Sequence, residues 1–285
     1  MTERPRAARP TARPTLHAVL AVWAVLALAG AAMRAAAPEA KAPSSGPKAA
    51  SPKPAAEIEA LARREPLEVL RESLRWYSQS VTDYTCTFYK QERINDDLQK
   101  AETMAMKFRE QPFSVYLKWT GSISKGQEAI FVKGKYGDKV VAHPSGLLGV
   151  LFRKISLDPE GKTAMRHSRR PISYAGMANM IRLAIGQCEI AKAAGDLHIE
   201  YLGIRQEARR DTYVFNRILP NGKGYPCHQL FIFIDREYLL PVRTEAYLWD
   251  GRLLSDYRYT DIVLNPGLTD TDFDPDNAAY GYRAF

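Results

Sequence analysis

From Asp83 onward the chain repeats one local rule, and that rule leaves few folds open. In DYTCTFYKQER, residues 83–93, Tyr84, Cys86 and Phe88 fall on one side of an extended backbone, and Thr85, Thr87 and Tyr89 fall on the other. The same period of two returns in ETMAMKFRE, PFSVYLKW, QEAIFVKG and KVVAHP, separated by turn residues at Asn95-Asp96-Asp97, Pro112, Gly121 and Gly134. Short strands joined by tight turns must pair antiparallel, because a parallel neighbour needs a long crossover. After an interruption the pattern resumes in DLHIEYLGI, TYVFNRIL, CHQLFIFID, LLPVRTEAYLW and LLSDYRYTDIV.

Two segments carry a helical period instead. Ile58, Leu61, Ala62, Leu67, Leu70, Leu74 and Tyr77 recur at spacings near three and four, which predicts one amphipathic helix or two helices meeting at Pro66. SYAGMANMIRLAIGQCEIAKAAG predicts a helix from Ser173 to Ala194 with Gly195 as its stop. The stretch before it, SGLLGVLFRKISLDPEGKTAMRHSRRPIS, reads as irregular. The order helix, sheet, helix, sheet, polar tail predicts an α+β domain with a large antiparallel sheet of about ten strands. Met104, Met106 and Phe108 share one face, as do Phe113, Val115, Leu117 and Trp119, and as do Leu230, Ile232 and Ile234. A single sheet covers such a face with helices or curls round on it, and a curled sheet encloses either its own side chains or a ligand.

The first 56 residues are unfit for a core. Arg4, Arg6, Arg9 and Arg13 precede an uncharged run from Pro14 to Met33 that ends among small residues, the order of a secretory signal. The run is also long enough, at about 20 residues, to stay as a membrane anchor with its basic end in the cytoplasm. Residues 1–34 therefore read as signal peptide or anchor, 35–56 as an Ala/Pro/Lys-rich linker, and 57–285 as the domain. Both readings export the domain. The net charge of +8 belongs mostly to this leader: residues 1–56 hold eight Lys/Arg against Glu3 and Glu39, which leaves 32 against 30 for the rest. A nearly neutral domain lacks the clustered cations of a nucleic-acid binder.

Chemistry-bearing patterns are sparse. The sequence holds no GxSxG, HExxH or GxxxxGK[ST], and its five histidines are scattered. Cys86, Cys188 and Cys227 include no CxxC pair; an oxidising compartment allows one bridge among them, with all three pairings open. TDTDFDPDN spaces Asp270, Asp272, Asp274 and Asp276 like a calcium loop, but Pro275 and Gly281 stand where Gly and Glu are required, so it reads as a polar turn. Arg166, Arg169 and Arg170 in MRHSRR suit either anionic head groups or a solvated loop. No metal, cofactor or catalytic residue is expected.

FREQPFSVYLKW (108–119) and the run from FIFIDREYLLPVRTEAYLW to TDTDFD resemble the LolA-like periplasmic lipoprotein carriers. DYTCTFYKQER and PFSVYLKW look like a bacterial family of exported proteins of unknown function placed near that group. The resemblance spans nearly everything from residue 57 onward. It implies an unclosed antiparallel half-barrel whose apolar concave face is covered by two helices, with an acyl chain, lipid or lipid-modified protein as cargo. Met104, Met106, Phe108, Phe113, Val115, Leu117 and Trp119 are then the expected cavity wall. By motif, Arg109 is the expected contact to the lid, although Glu110 and Gln111 separate it from Pro112. The expected function is an exported, non-enzymatic binding protein, periplasmic or anchored in the inner membrane. The rival readings are a tethered sensor resembling regulators of anti-sigma factors and, further off, a hydrolase.

Overall fold

The computed structural model describes residues 52–282. The leader and all but the last residues of the linker lie outside the described residues. Twelve strands form there: Asp83–Ile94 (β1), Asp97–Leu98 (β2), Glu102–Arg109 (β3), Ser114–Trp119 (β4), Glu128–Val132 (β5), Val140–His143 (β6), Ile155–Leu157 (β7), His198–Glu207 (β8), Arg210–Ile218 (β9), Gln229–Asp235 (β10), Pro241–Tyr247 (β11) and Leu253–Leu264 (β12). They build one antiparallel sheet in the order β7-β6-β5-β4-β3-β1-β12-β11-β10-β9-β8, with β2 as a small extension paired to β1. The path is linear and ends on β7 and β8, so the sheet is unclosed. Its spine is the pairing of β1 with β12, both of 12 residues, which joins the N-terminal meander to the C-terminal one.

Four α-helices accompany the sheet: Ala55–Arg64 (α1), Pro66–Ser80 (α2), Gly146–Leu151 (α3) and Met177–Ala193 (α4). The helical region before the sheet is two helices broken at Pro66, which starts α2 where its missing N–H costs nothing. Ile58 and Ala62 of α1, Leu67 and Leu70 of α2 and Ile181, Ala184 and Cys188 of α4 pack on Tyr213, Phe215, Ile232 and Ile234. The Tyr213 hydroxyl donates to the Ala55 carbonyl at 3.0 Å, tying the first turn of α1 to the sheet.

Three expectations from sequence need correction. The second long helix starts at Met177 rather than Ser173, because Gly176 sits at φ 106° and Ile172–Tyr174 forms a separate 3-10 turn. The irregular stretch contains α3 and β7. The polar tail is a packed element: Phe273, Tyr280 and Tyr282 are buried against Tyr116, Ile130, Val132 and Val141 on the face of the sheet opposite the long helices. Its aspartates are spent on cations, with Asp270 pairing Arg109 and Lys135 at 2.8 Å each, Asp272 pairing Lys107 at 2.8 Å and Asp276 pairing Lys154.

Gly176 fixes where α4 meets the sheet. A Cβ built there would lie 2.6 Å from Phe108, whose ring stacks on Tyr84 at 4.8 Å, and the Tyr84 hydroxyl accepts the first N–H of α4, from Met177, at 3.1 Å. Gly176→Ala therefore combines a strained positive φ with an overfilled contact. It should lower the unfolding free energy by about 3 kcal/mol. Urea denaturation checks this, and a loss below about 1 kcal/mol would mean that the contact relaxes freely.

Candidate functional site: a cavity under the fourth helix

Between the concave face of the sheet and α4 lies a cavity of about 650 Å³. Its floor includes Phe88, Met104, Leu117, Trp119, Ala129 and Tyr259, each the inward residue of its strand. Met180, Leu183 and Ala184 of α4 form the roof, and the segment 159–176 runs along one side. The rim beside α3 is apolar and open to solvent. Leu147, Leu148, Val150, Leu151 and Phe152 are each more than half exposed, and Leu148 also lines the cavity.

The expected wall residues divide in two. All seven belong to one packed cluster with Met177, Ala178 and Leu240, but only Met104, Leu117 and Trp119 also line the cavity; Met106, Phe108, Phe113 and Val115 do not. All seven lie toward the helices, as their shared phase requires. The four nearer the Arg109 end of the hairpin pack against protein, and the three nearer its other end, though buried, also border the cavity. Arg109 does not touch a helical lid. Because Phe108 points inward, Arg109 points outward, where it donates to Ser114 Oγ at 3.1 Å and Asp270 at 2.8 Å and lies 4.9 Å from the centre of the Phe273 ring.

One end of the cavity is polar, and this was missed from sequence. Lys90 continues the inward face of Phe88, and its Nζ lies 2.8 Å from Glu102 and 3.7 Å from Glu92. The Trp119 indole N–H donates to Glu102 at 2.7 Å, and the Tyr257 hydroxyl donates to Glu92. Burial first, and then the charge of Glu92, hold the Tyr257 hydroxyl well above the ordinary phenol range. The cluster also fastens the flanking segment. Lys90 donates to the His167 carbonyl at 3.0 Å and Ser168 Oγ at 3.1 Å, and the Arg169 N–H donates to Glu92 at 3.0 Å. The basic run MRHSRR thus contributes backbone groups and the Ser168 hydroxyl to a latch. Its Arg166, Arg169 and Arg170 side chains are largely exposed but border the cavity, and the Arg169 guanidinium donates to the Arg93 carbonyl at 3.1 Å.

A second polar group stands across the sheet. Arg217 on β9 lines the cavity at 1% exposure, donates to Cys227 Sγ at 2.9 Å and has no partner for its Nε N–H. Cys86, Cys188 and Cys227 are all buried and unpaired, so none of the three disulfides left open by sequence forms. Burial pushes the Cys188 thiol up to about 11 against the pull of Arg217, and it raises Cys227 against the same opposing charge.

Residues 81–282 match the family described as "Protein of unknown function (DUF1571)". None of the curated proteins matches the sequence. Among solved structures, the Mycobacterium tuberculosis lipoprotein LppX is 13% identical, with 74% of this chain and 100% of that chain covered and a TM-score of 0.43. The Pseudomonas aeruginosa MucA/MucB complex gives 15% identity, 73% and 59% coverage and a TM-score of 0.42, so this chain spans 59% of the length of the chain it matches there. The LolA superfamily protein NE2245 from Nitrosomonas europaea gives 12% identity, 79% and 98% coverage and a TM-score of 0.29.

Proposed function

The chain belongs to the DUF1571 family of proteins of unknown function, and we propose that this member is an exported binding protein that shelters an acyl chain in its half-barrel. The observation that carries the proposal is the unfilled space of about 650 Å³ between a mainly apolar floor and α4, a volume within the usual range for small-molecule sites. Each methylene moved from water into such a space contributes about 0.8 kcal/mol, so a long chain gains enough to be held without any covalent step. The apolar rim at α3 gives an acyl chain a path in that avoids bare solvent. The segment 159–176, pinned by Lys90 and Glu92, is placed to open when cargo passes.

A non-enzymatic role is supported by how the reactive groups are used. Glu92 and Glu102 are engaged by Lys90, Tyr257 and Trp119, and the thiols beside Arg217 are held in their protonated form by burial. Export rests on the leader, and tethering or release depends on whether that leader is cut.

The test uses the full chain after delipidation. A long-chain fluorescent fatty acid should bind saturably, and unlabelled hexadecanol should displace it. Native mass spectrometry of protein taken from its own envelope should show adducts of lipid mass. Failure of every apolar probe to bind would end the acyl-binding reading.

A further inference from the structure

Arg217 is the sole cation among the described residues that is fully buried, and the fold leaves its charge unanswered. Every buried carboxylate is provided for. Asp235 pairs with Arg210, Asp256 with Arg243 and Arg258, Glu128 with Lys118 and Glu92 with Lys90, while Asp83 accepts the N–H groups of Gly267 and Leu268. Arg217 has no carboxylate within ion-pair distance among the described residues. Its hydrogen-bond partners are sulfur atoms, Cys227 at 2.9 Å and the neighbouring Cys188 thiol, both weak acceptors, and its Nε is orphaned. A guanidinium cannot shed its proton to escape burial. A buried charge without a counter-charge is costly, so such a group calls for an anion that the chain itself does not supply.

The register shows where that anion would sit. Arg217 pairs across the sheet with Leu230, Leu230 with Ala246, Ala246 with Ser255 and Ser255 with Glu92. Four inter-strand spacings, roughly 19 Å along the sheet, separate Arg217 from Glu92, too far for an ion pair, with the apolar side chains of Leu230 and Ala246 between them. Both of these line the cavity, as do Leu183 and Gln187 of α4 above them.

Building on the acyl-binding reading, we propose that Arg217 anchors the anionic oxygen head of the ligand, so that the cavity takes an ionised single-chain amphiphile. Its chain lies along Leu183, Leu230 and Ala246 toward Leu117. A guanidinium offers paired N–H donors that match a carboxylate or a phosphate fork. The cargo class is therefore a free fatty acid or an alkyl phosphate rather than a neutral ester or alcohol.

Hexadecanoate, hexadecyl phosphate and hexadecanol are compared on the delipidated full chain by calorimetry at neutral pH. At least one anion should bind about tenfold or more tightly than hexadecanol, as expected for a buried charge-assisted contact, and the tighter anion identifies the head group. In Arg217→Met the ratio of anion to hexadecanol affinity should fall about tenfold toward one. The ligand-free variant should keep or raise its Tm, since it loses an unpaired buried charge. Equal binding of acid, phosphate and alcohol by the unaltered protein would overturn the anchor while leaving the acyl cavity standing. If no probe binds, the cavity reading falls and takes the anchor with it. The head-group comparison in the unaltered chain needs no variant, so a misfolded Arg217→Met does not rescue the proposal.

Discussion

Lys90→Met should lower the unfolding free energy by about 3–5 kcal/mol, the usual cost of breaking a buried ion pair from one side. Lys90 is the only cation within ion-pair distance of Glu102 and Glu92 among the described residues, and its own side chain is 12% exposed. Its removal leaves two neighbouring carboxylates, 13% and 3% exposed, unneutralised at one end of a mainly apolar cavity. It also frees the His167 carbonyl and Ser168 hydroxyl, so hydrogen exchange across 163–171 should speed up more than in the strands. Urea denaturation reads the first effect and exchange mass spectrometry the second. Adding Glu92→Gln and Glu102→Gln to Lys90→Met should recover most of the loss, because the cost arises from the abandoned charges rather than from missing attraction. A single variant within about 1 kcal/mol of the parent would show the cluster to be well hydrated and the latch unimportant.

The phase of β1, β3, β4 and β9 could be read from the alternation, and with it more of the site than the apolar residues alone suggested. Lys90 and Glu92 continue the face of Tyr84, Cys86 and Phe88; Glu102 continues that of Met104 and Met106; Arg217 continues that of Tyr213 and Phe215. A charged residue in the apolar phase of a strand is the signal that could have found both polar ends of the cavity. The line between core and cavity could not be read in this way. Val115 and Leu117 share a face, a strand, a chemistry and one packed cluster, and they differ in that Leu117 also borders the cavity while Val115 is fully enclosed. The clasp formed by the C-terminal segment was hidden for another reason. Its aspartates dominate the composition of TDTDFDPDN, and the apolar demand for a cover sits elsewhere, in Tyr116, Ile130, Val132 and Val141. The unbroken apolar run AIFV of β5 was the local hint, since a strand covered on both faces loses its alternation.

That difference between Val115 and Leu117 supports a decisive experiment on the cavity itself. Leu117→Glu puts a carboxyl group where the structure leaves open space, so the side chain can turn into the cavity and keep water beside it. Val115→Glu puts the same group into a site at 0% exposure, packed within the Phe108, Phe131 and Met177 cluster. Burying an ionisable group in packed apolar surroundings costs several kcal/mol, so Val115→Glu should lose about 4 kcal/mol or fail to fold, while Leu117→Glu should lose about 2 kcal/mol and keep its secondary structure. The folded Leu117→Glu protein should bind the fluorescent fatty acid at least about thirtyfold more weakly, because chain and head must now pass an acidic group desolvated by the ligand itself. Leu117→Met, which conserves volume and polarity, should bind as the parent does. Circular dichroism with urea titration ranks the stabilities, and fluorescence titration ranks the affinities. If the two glutamate variants are equally unstable, Leu117 faces packed protein, and the hollow on which acyl binding depends does not exist in solution.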